Sequence, residues 1–418
     1  MEVLKSSLKI FGAAAVTLGL VATSIAAGSY SLAESGRVIP GVAAFGSPLE
    51  GLTKEETENF FEKIAAERLP ADTVTLKYGE QTWIFSPAEL HIKAATEQAA
   101  AEAYNLGRGK SFWENLKEQV LVGLNGRFIT LGAVFDGDAL NTKLVQIAAQ
   151  LRREPANAFV SLDYNGQVFR TNGIIGKNLK IEPIAEELAP KITALKTPII
   201  LEIAPDDIMP FVTDADIATI DSILASYTTY FSPGDRGDNI AIAASHLNGV
   251  LVKSAAVFSF NTAVGRRTRD AGYKDAGVFI DGRLEQDVGG GVCQVSSTLY
   301  NAILLAGLNS TMRTPHYYPS LYCPPGRDAT VADGLLDFQF QNPYPHNVYL
   351  QSSVNDNSLT VFVLGTWADL NGNSIYLENE GTRLHPDVYR VYAKDGAIVW
   401  REYLHTDAYR SPAEMHND

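Results

Sequence analysis

The chain has 418 residues and a formal net charge of −14, and it is too long for one ordinary hydrophobic core. Its 46% hydrophobic and 20% charged residues are typical of a globular protein rather than a disordered one. The acidic balance, without a basic patch, argues against nucleic-acid binding. The seven histidines follow neither Cys-x-x-Cys nor His-Glu-x-x-His spacing, so the sequence predicts no metal site and no other cofactor.

The first 35 residues are predicted to export the rest of the chain. Two lysines precede an uncharged apolar run from Ile10 to about Gly28, which is about long enough to span a bilayer with a cytoplasmic N-terminus. The sequence Ser24-Ile25-Ala26 also has the small-x-small form of a signal-peptide cleavage site. The alternatives are a single-pass membrane anchor, with the membrane as the partner of this helix, or a cleaved signal and secretion.

The following region is predicted to repeat one arrangement: a helix, a β-hairpin and a second helix. The first module is assigned to residues 36–125 and the second to residues 126–205. A closing strand at 198–203 is assigned to the second module and one at 128–131 to the first. No catalytic constellation is evident here, so binding or spacing is the predicted role. The hairpins are expected at 74–90 and 160–176, with helices at 53–68, 94–105, 138–153 and 184–195.

Residues 206–365 are predicted to form a mixed α/β domain that becomes rich in strands, and residues 366–418 a C-terminal hairpin and tail. Helical pieces are expected at 213–228 and 239–248, and Lys394-Asp395-Gly396 is a hairpin turn signal. The predicted fold class of the whole chain is α+β. Strands are expected at 257–261, 278–280, 336–340, 347–352, 359–364, 388–393 and 399–403.

The most informative stretch is GGGVCQVSST, at residues 289–298. Apolar residues then recur at helical spacing up to Gly307, which places Cys293 near a helix N-terminus. The positive end of the helix dipole there favours a nucleophilic thiolate. The glycines allow the close backbone approach that an anion cradle or oxyanion hole needs. The alternative is a tight turn before a buried helix, with Cys293 as a small core residue.

A cysteine nucleophile needs a base and a group that orients the base. His316 lies in the dense motif RTPHYYP at 313–319, although a core or surface histidine is the alternative. Arg327 and Asp328 follow in a Pro/Gly loop, either as an ordinary ion pair or as the rim of an active site. The candidates for a third catalytic residue are Asp328, Asp287 and Ser296.

The second cysteine offers a different interpretation of the same motif. An exported chain with two cysteines invites one disulfide, and a bridge between Cys293 and Cys323 would silence the nucleophile. The glycine-rich entry to Cys293 is an unusual place for such a bridge, so a free Cys293 is the preferred alternative.

Three separated motifs resemble the VanW domain family. The glycine-cysteine motif, AVFSFN at 256–261 and PPGRDA at 324–329 agree with the family pattern in order and spacing, over roughly residues 213–365. The modules before it resemble the YoaR-like peptidoglycan-binding domain that often precedes a VanW domain. The resemblance implies a VanW domain within residues 206–365 of a cell-wall protein, with peptidoglycan stem peptides as partners.

Some members of this family are L,D-transpeptidases, which use a cysteine to join diaminopimelate residues of neighbouring stem peptides. The resemblance implies that Cys293 is the nucleophile and His316 its general base. Tyr317 stands where the family often has serine, and Cys323 is unusual at its position. The alternative function is a non-catalytic peptidoglycan-binding or glycopeptide-resistance accessory protein with a structural Cys293. Contacts to the oxyanion or the substrate are expected from Gly290, Gly291, Gln294, Ser296, Arg327 and Asp328.

Overall fold

The structure is a computed structural model and describes residues 2–71, 73–196, 198–280 and 283–411. Contacts divide the chain into two units. The N-terminal unit contains Met1–Arg153 and Lys177–Asp207, and the C-terminal unit contains Glu154–Gly176 and Ile208–Asp418. Both units mix helices and strands, which confirms the predicted α+β class. The predicted boundaries of the modules and the C-terminal hairpin remain predictions, and residues 412–418 of the tail lie outside the described residues.

The described residues contain ten α-helices, three of which begin at a capping box. In such a box the N-cap hydroxyl and the carboxylate three residues later satisfy each other's backbone N–H groups. The helices are α1 Glu2–Glu34, α2 Lys54–Arg68, α3 Thr96–Asn105, α4 Phe112–Asn125, α5 Gly137–Leu151, α6 Glu182–Thr193, α7 Asp214–Ile217, α8 Asp235–Ser245, α9 Phe260–Val264 and α10 Val292–Leu305.

The strands are short in the first half of the chain and longer in the second. They are β1 Val42–Ala44, β2 Ser47–Pro48, β3 Val74–Tyr78, β4 Gln81–Phe85, β5 Lys93–Ala94, β6 Arg127–Phe128, β7 Ala133–Val134, β8 Phe159–Leu162, β9 Val168–Thr171, β10 Gly176–Asn178, β11 Ile199–Glu202, β12 Asp206–Ile208, β13 Ser222–Tyr230, β14 Val250–Val252, β15 Val257–Ser259, β16 Asp275–Ile280, β17 Arg283–Val288, β18 Asn309–Met312, β19 Gln339–Gln341, β20 Val348–Val354, β21 Ser358–Gly365, β22 Ser374–Gly381, β23 Pro386–Lys394 and β24 Ala397–Thr406.

The N-terminal apolar run forms part of α1. Among the residues that the structure describes, no helix combines the length and the apolar composition needed to cross a membrane, so the predicted membrane anchor is not supported.

Both predicted hairpins form, as β3–β4 and β8–β9, but the closing strand of the second module was assigned wrongly. β11, assigned to the second hairpin, instead runs parallel to β3 of the first, with Ile199 opposite Val74. Both side chains are buried in one apolar core with Leu76, so long-range burial decides this pairing. β6, assigned to the first module, pairs with β1 of that module rather than with its hairpin.

The core of the C-terminal unit is built on an antiparallel sheet in the order β13-β21-β20-β14. α10 packs against β13, β21 and α8, and its residues from Gln294 to Leu304 are buried on all sides. The helix predicted at 213–228 is wrong beyond α7. Its second half is the strand β13, which pairs with β21 along its length and buries Leu224 and Thr229.

The predicted C-terminal hairpin is confirmed as β23–β24. Asp395 and Gly396 form its turn with φ of 51° and 82°, the positive values that the Asp-Gly pair favours. β22 adds a third antiparallel strand that the sequence pattern did not predict.

Candidate active site

The glycine-cysteine motif forms the start of the buried helix α10. Gly291 is the N-cap, with φ of 111°, a value that favours glycine. A Cβ atom on Gly290 would lie 2.6 Å from the Ala276 carbonyl oxygen, so the backbone passes where no other residue fits. Cys293 is thus the second residue of the helix, partly exposed, with its Sγ 3.4 Å from the Val331 carbonyl oxygen.

The predicted base reaches this cysteine. The His316 side chain lies near enough to Cys293 to lower the pKa of its thiol, and its Nδ1 lies 2.5 Å from Oδ2 of Asp328. The backbone N–H of His316 also donates to Oδ2, at 2.7 Å. Because Nδ1 faces the carboxylate, the other ring nitrogen is available to the thiol. The structure therefore brings together a thiol, an imidazole and a carboxylate in the order in which these groups occur in a catalytic triad.

A buried network holds the Asp328 carboxylate. The Arg313 guanidinium lies 3.1 Å from Oδ1 of Asp328 and 2.6 Å from Oδ1 of Asp407. The Tyr409 hydroxyl donates to Oδ1 of Asp328 and accepts from the Gly326 N–H at 2.7 Å. Burial opposes the charge of Asp328, but the hydrogen bond and charge of His316 and the charge of Arg313 together lower its pKa to about 2.

The same contacts shift the pKa values of Cys293 and His316 in opposite directions. Burial by itself would raise the pKa of the Cys293 thiol, yet the hydrogen bond and charge of His316 lower it overall. Burial would lower the pKa of His316, but its bonds to Asp328 and Cys293 raise it to about 9. The arrangement therefore favours the thiolate–imidazolium form of this pair.

The structure contains two free thiols rather than a disulfide. Cys323 is buried, and its Sγ lies 3.1 Å from the Ser320 hydroxyl oxygen. Burial raises the pKa of Cys323 to about 12. The disulfide alternative is therefore not what the structure holds, and Cys323 is a protonated core thiol.

Three of the other predicted site residues are engaged within the protein. The Gln294 amide donates to the Tyr230 carbonyl oxygen at 2.9 Å. The Ser296 hydroxyl donates to the Ala329 carbonyl oxygen at 2.6 Å. Arg327 donates to Leu377 O of β22 at 2.7 Å. The contacts of Ser296 and Arg327 hold the loop that follows His316 against α10 and β22. The predicted substrate contacts of all three residues stay predictions.

The remaining predicted groups are placed as follows. The N–H groups of Val292 and Gln294 donate to Gly289 O at 3.1 Å and Gly291 O at 2.9 Å, so the backbone N–H of the predicted donor Gln294 is bonded within the glycine turn. Asp287 is an exposed residue of β17 and accepts from its neighbour Val288. Of the three candidate third residues, Asp328 is the one that contacts His316.

Sequence reasoning missed Arg313, Asp407 and Tyr409. Arg313 belongs to the motif that contains His316, so its nearness in sequence was an available signal. Tyr409 lies 81 positions beyond Asp328, and no local pattern links them. Tyr317, which replaces the usual serine, is exposed and lies under the Arg410 guanidinium, 5.3 Å from it. Its hydroxyl therefore takes no part in orienting His316. Within the described residues no group of three His, Cys, Asp or Glu side chains could hold a metal ion.

Comparisons with known proteins agree with the predicted resemblance. A family model described as "VanW like protein" matches residues 235–364, and one described as "Putative peptidoglycan binding domain" matches residues 83–199. YoaR of Bacillus subtilis (strain 168) is 36% identical over 219 residues, which cover 52% of this chain and 71% of YoaR. No solved structure matches.

A second relative is the Vancomycin B-type resistance protein VanW of Enterococcus faecalis (strain ATCC 700802 / V583). It is 34% identical over 109 residues, which cover 25% of this chain and 40% of that protein. The peptidoglycan-binding match supports binding to peptidoglycan and a location at the cell envelope. Since the identity to YoaR extends over more than two thirds of that protein, the chain belongs to the VanW/YoaR-like family.

Proposed function

We propose that this chain is a cysteine acyltransferase of the L,D-transpeptidase type that acts on peptidoglycan stem peptides. The observation that carries the proposal is the ordered contact from Cys293 to His316 to the buried Asp328 carboxylate. A cysteine that served only as core packing would need neither an imidazole partner nor a buried carboxylate behind it. For that reason the non-catalytic alternative is not adopted.

The chemistry proceeds in two half-reactions. The Cys293 thiolate attacks the amide carbonyl that precedes the terminal D-amino acid of a donor stem, and a C–S bond forms. The His316 imidazolium gives its proton to the leaving amine as the C–N bond breaks, which leaves a thioester. The amine of an acceptor stem then attacks the thioester, His316 takes its proton, and the thiolate leaves. Asp328 holds the imidazolium throughout and keeps its own protonation state.

The residues matched by the peptidoglycan-binding model support the choice of substrate. They lie upstream of the catalytic residues in the same chain. A module that binds the polymer raises the effective concentration of stem peptides at a tethered active site. Binding and catalysis are thus complementary roles of the two matched regions.

Incubation of the purified protein with disaccharide-tetrapeptides tests the proposal, with the products identified by mass spectrometry. The wild type is expected to release the terminal D-amino acid and to form a dimer joined between the third residues of two stems. Cys293→Ala should form none, whereas Cys323→Ala, which removes the other free thiol, should retain activity. A dimer formed equally by Cys293→Ala, or by neither protein, contradicts the assignment.

A further inference from the structure

One buried hydroxyl group beside Cys293, His316 and Asp328 forms no hydrogen bond within the described part of the fold. The Tyr322 hydroxyl oxygen is buried, and it has no hydrogen-bond partner among the residues that the structure describes. Most buried polar side-chain atoms in proteins are hydrogen-bonded, so an isolated one calls for a reason. A hydroxyl kept free at a cost in stability is typical of a group that acts on a ligand.

Tyr322 lies against the catalytic residues. The edge of one ring meets the face of the other in its contact with His316, at a centroid distance of 6.4 Å and an interplanar angle of 80°. Burial first, and then the negative charge that Cys293 or Cys323 carries when ionised, raise the pKa of the Tyr322 phenol well above its ordinary value. The hydroxyl is therefore protonated at neutral pH and can act as a donor beside the nucleophile.

The neighbouring Ser297 hydroxyl does not satisfy Tyr322. It donates to the Cys293 carbonyl oxygen at 2.7 Å and accepts from the Ala329 N–H at 2.9 Å. Ser297 is near enough to lower the pKa of the phenol slightly, but the two oxygens form no hydrogen bond of normal geometry. The Tyr322 hydroxyl therefore has no acceptor among the described residues and can donate a hydrogen bond to a ligand.

The proposed acyl transfer needs such a donor. An anionic tetrahedral intermediate is stabilised by N–H or O–H groups already aimed at the developing charge. Two backbone N–H groups that could serve, those of Val292 and Gln294, are bonded to the glycine turn. A side-chain donor would add to the backbone N–H groups that remain at the turn, and tyrosine is among the residues known to act in oxyanion holes.

We propose that the Tyr322 hydroxyl donates a hydrogen bond to the carbonyl oxygen of the donor stem as the Cys293 thiolate attacks it. This inference rests on the proposed acyltransferase function. As the C–S bond forms, the carbonyl π electrons move onto oxygen, and the O–H bond of Tyr322 stays intact. When the intermediate collapses, the electron pair re-forms the carbonyl, the C–N bond breaks, and the leaving amine takes its proton from His316.

Tyr322→Phe removes one oxygen atom and tests the inference, with Tyr318→Phe in the same loop as the matched control. Two rates are measured: turnover, from the released D-amino acid, and alkylation of Cys293 by iodoacetamide, which needs a thiolate but no oxyanion. We expect Tyr322→Phe to lower kcat by about 10²–10³-fold, as loss of one oxyanion donor does. The alkylation rate should stay at the wild-type value, and Tyr318→Phe should change neither rate.

The other outcomes separate this inference from the proposed function. Wild-type kcat in Tyr322→Phe overturns the role of Tyr322, as does an equal loss of turnover and alkylation, which would mean that Tyr322 only supports the thiolate–imidazolium pair. Absence of turnover in the wild type itself overturns the proposed function instead. The melting temperature of Tyr322→Phe should be equal to or above that of the wild type, because an unpaired buried hydroxyl is removed.

If Tyr322→Phe fails to fold, 3-fluorotyrosine at position 322 replaces it in the test. This residue keeps the ring and the hydroxyl but makes the hydroxyl a stronger donor. A changed kcat with unchanged alkylation supports the inference, and an unchanged kcat overturns it.

Discussion

Cys293 and Cys323 are both free thiols in the C-terminal unit, the first partly exposed and the second buried, and their surroundings shift their pKa values in opposite directions. Around Cys323, burial dominates and raises its pKa to about 12, with the Ser320 hydroxyl as a weak opposing partner. Around Cys293, an imidazole held by a buried carboxylate outweighs burial, and the pKa falls. Burial therefore keeps a thiol protonated and unreactive unless the fold also places a cation beside it.

The largest expected contrast is in alkylation of the two thiols. At pH 7 a thiol with a pKa of about 12 is roughly one part in 10⁵ thiolate, so iodoacetamide should modify Cys293 and leave Cys323 unmodified in the native protein. The rate at Cys293 should fall as the pH falls through its lowered pKa, because the thiolate is then protonated. Mass spectrometry of the digested protein locates the label. Equal labelling of both cysteines would contradict the predicted difference between their pKa values.

Asp328→Asn removes the charge that distinguishes the surroundings of Cys293. We expect kcat to fall by about 10⁴-fold, the size typical of replacing the orienting Asp of a triad, because the imidazolium loses its partner. Alkylation of Cys293 should also slow, since the thiolate loses part of its stabilisation. Asp287→Asn, at an exposed position on β17, is the matched control and should leave both rates unchanged. An active Asp328→Asn enzyme would remove Asp328 from the mechanism.

Tyr409→Phe tests the support behind Asp328. The lost hydrogen bond to a buried carboxylate should lower the free energy of unfolding by about 2–3 kcal/mol, measured by urea denaturation. Because Asp328 is then held less firmly, kcat should fall by less than in Asp328→Asn, while KM stays the same. Tyr403→Phe, which changes an exposed tyrosine of β24, should have little effect. Stability unchanged by Tyr409→Phe would rule out this support.

The smallest effect is expected from Cys323→Ala. Loss of a small buried side chain should lower the free energy of unfolding by about 1 kcal/mol, with kcat and the alkylation rate of Cys293 unchanged. Thermal unfolding and the turnover assay measure both quantities. A large loss of activity would contradict a purely structural role for Cys323. It would mean that both cysteines belong to one functional site.

Local sequence patterns predicted the elements that depend on neighbours in the chain. The helix that begins just before Cys293 follows from glycines and then apolar residues at helical spacing. The β23–β24 hairpin follows from its Asp395-Gly396 turn. Residues 213–228 show the limit, because their helical pattern gave way to the strand β13 once pairing with β21 was available.

The sequence by itself predicted the pair of Cys293 and His316, because each lies in a dense motif and the resemblance to the VanW family implies their roles. Only the tertiary structure selected Asp328 from three candidate carboxylates and hydroxyls and joined it to Tyr409, 81 positions away. It also moved β11 from the second hairpin to the first. The physical reason is common to these cases. Spacing within a motif encodes contacts over a turn or a hairpin, whereas contacts between distant segments are decided by which apolar surfaces the whole chain can bury together.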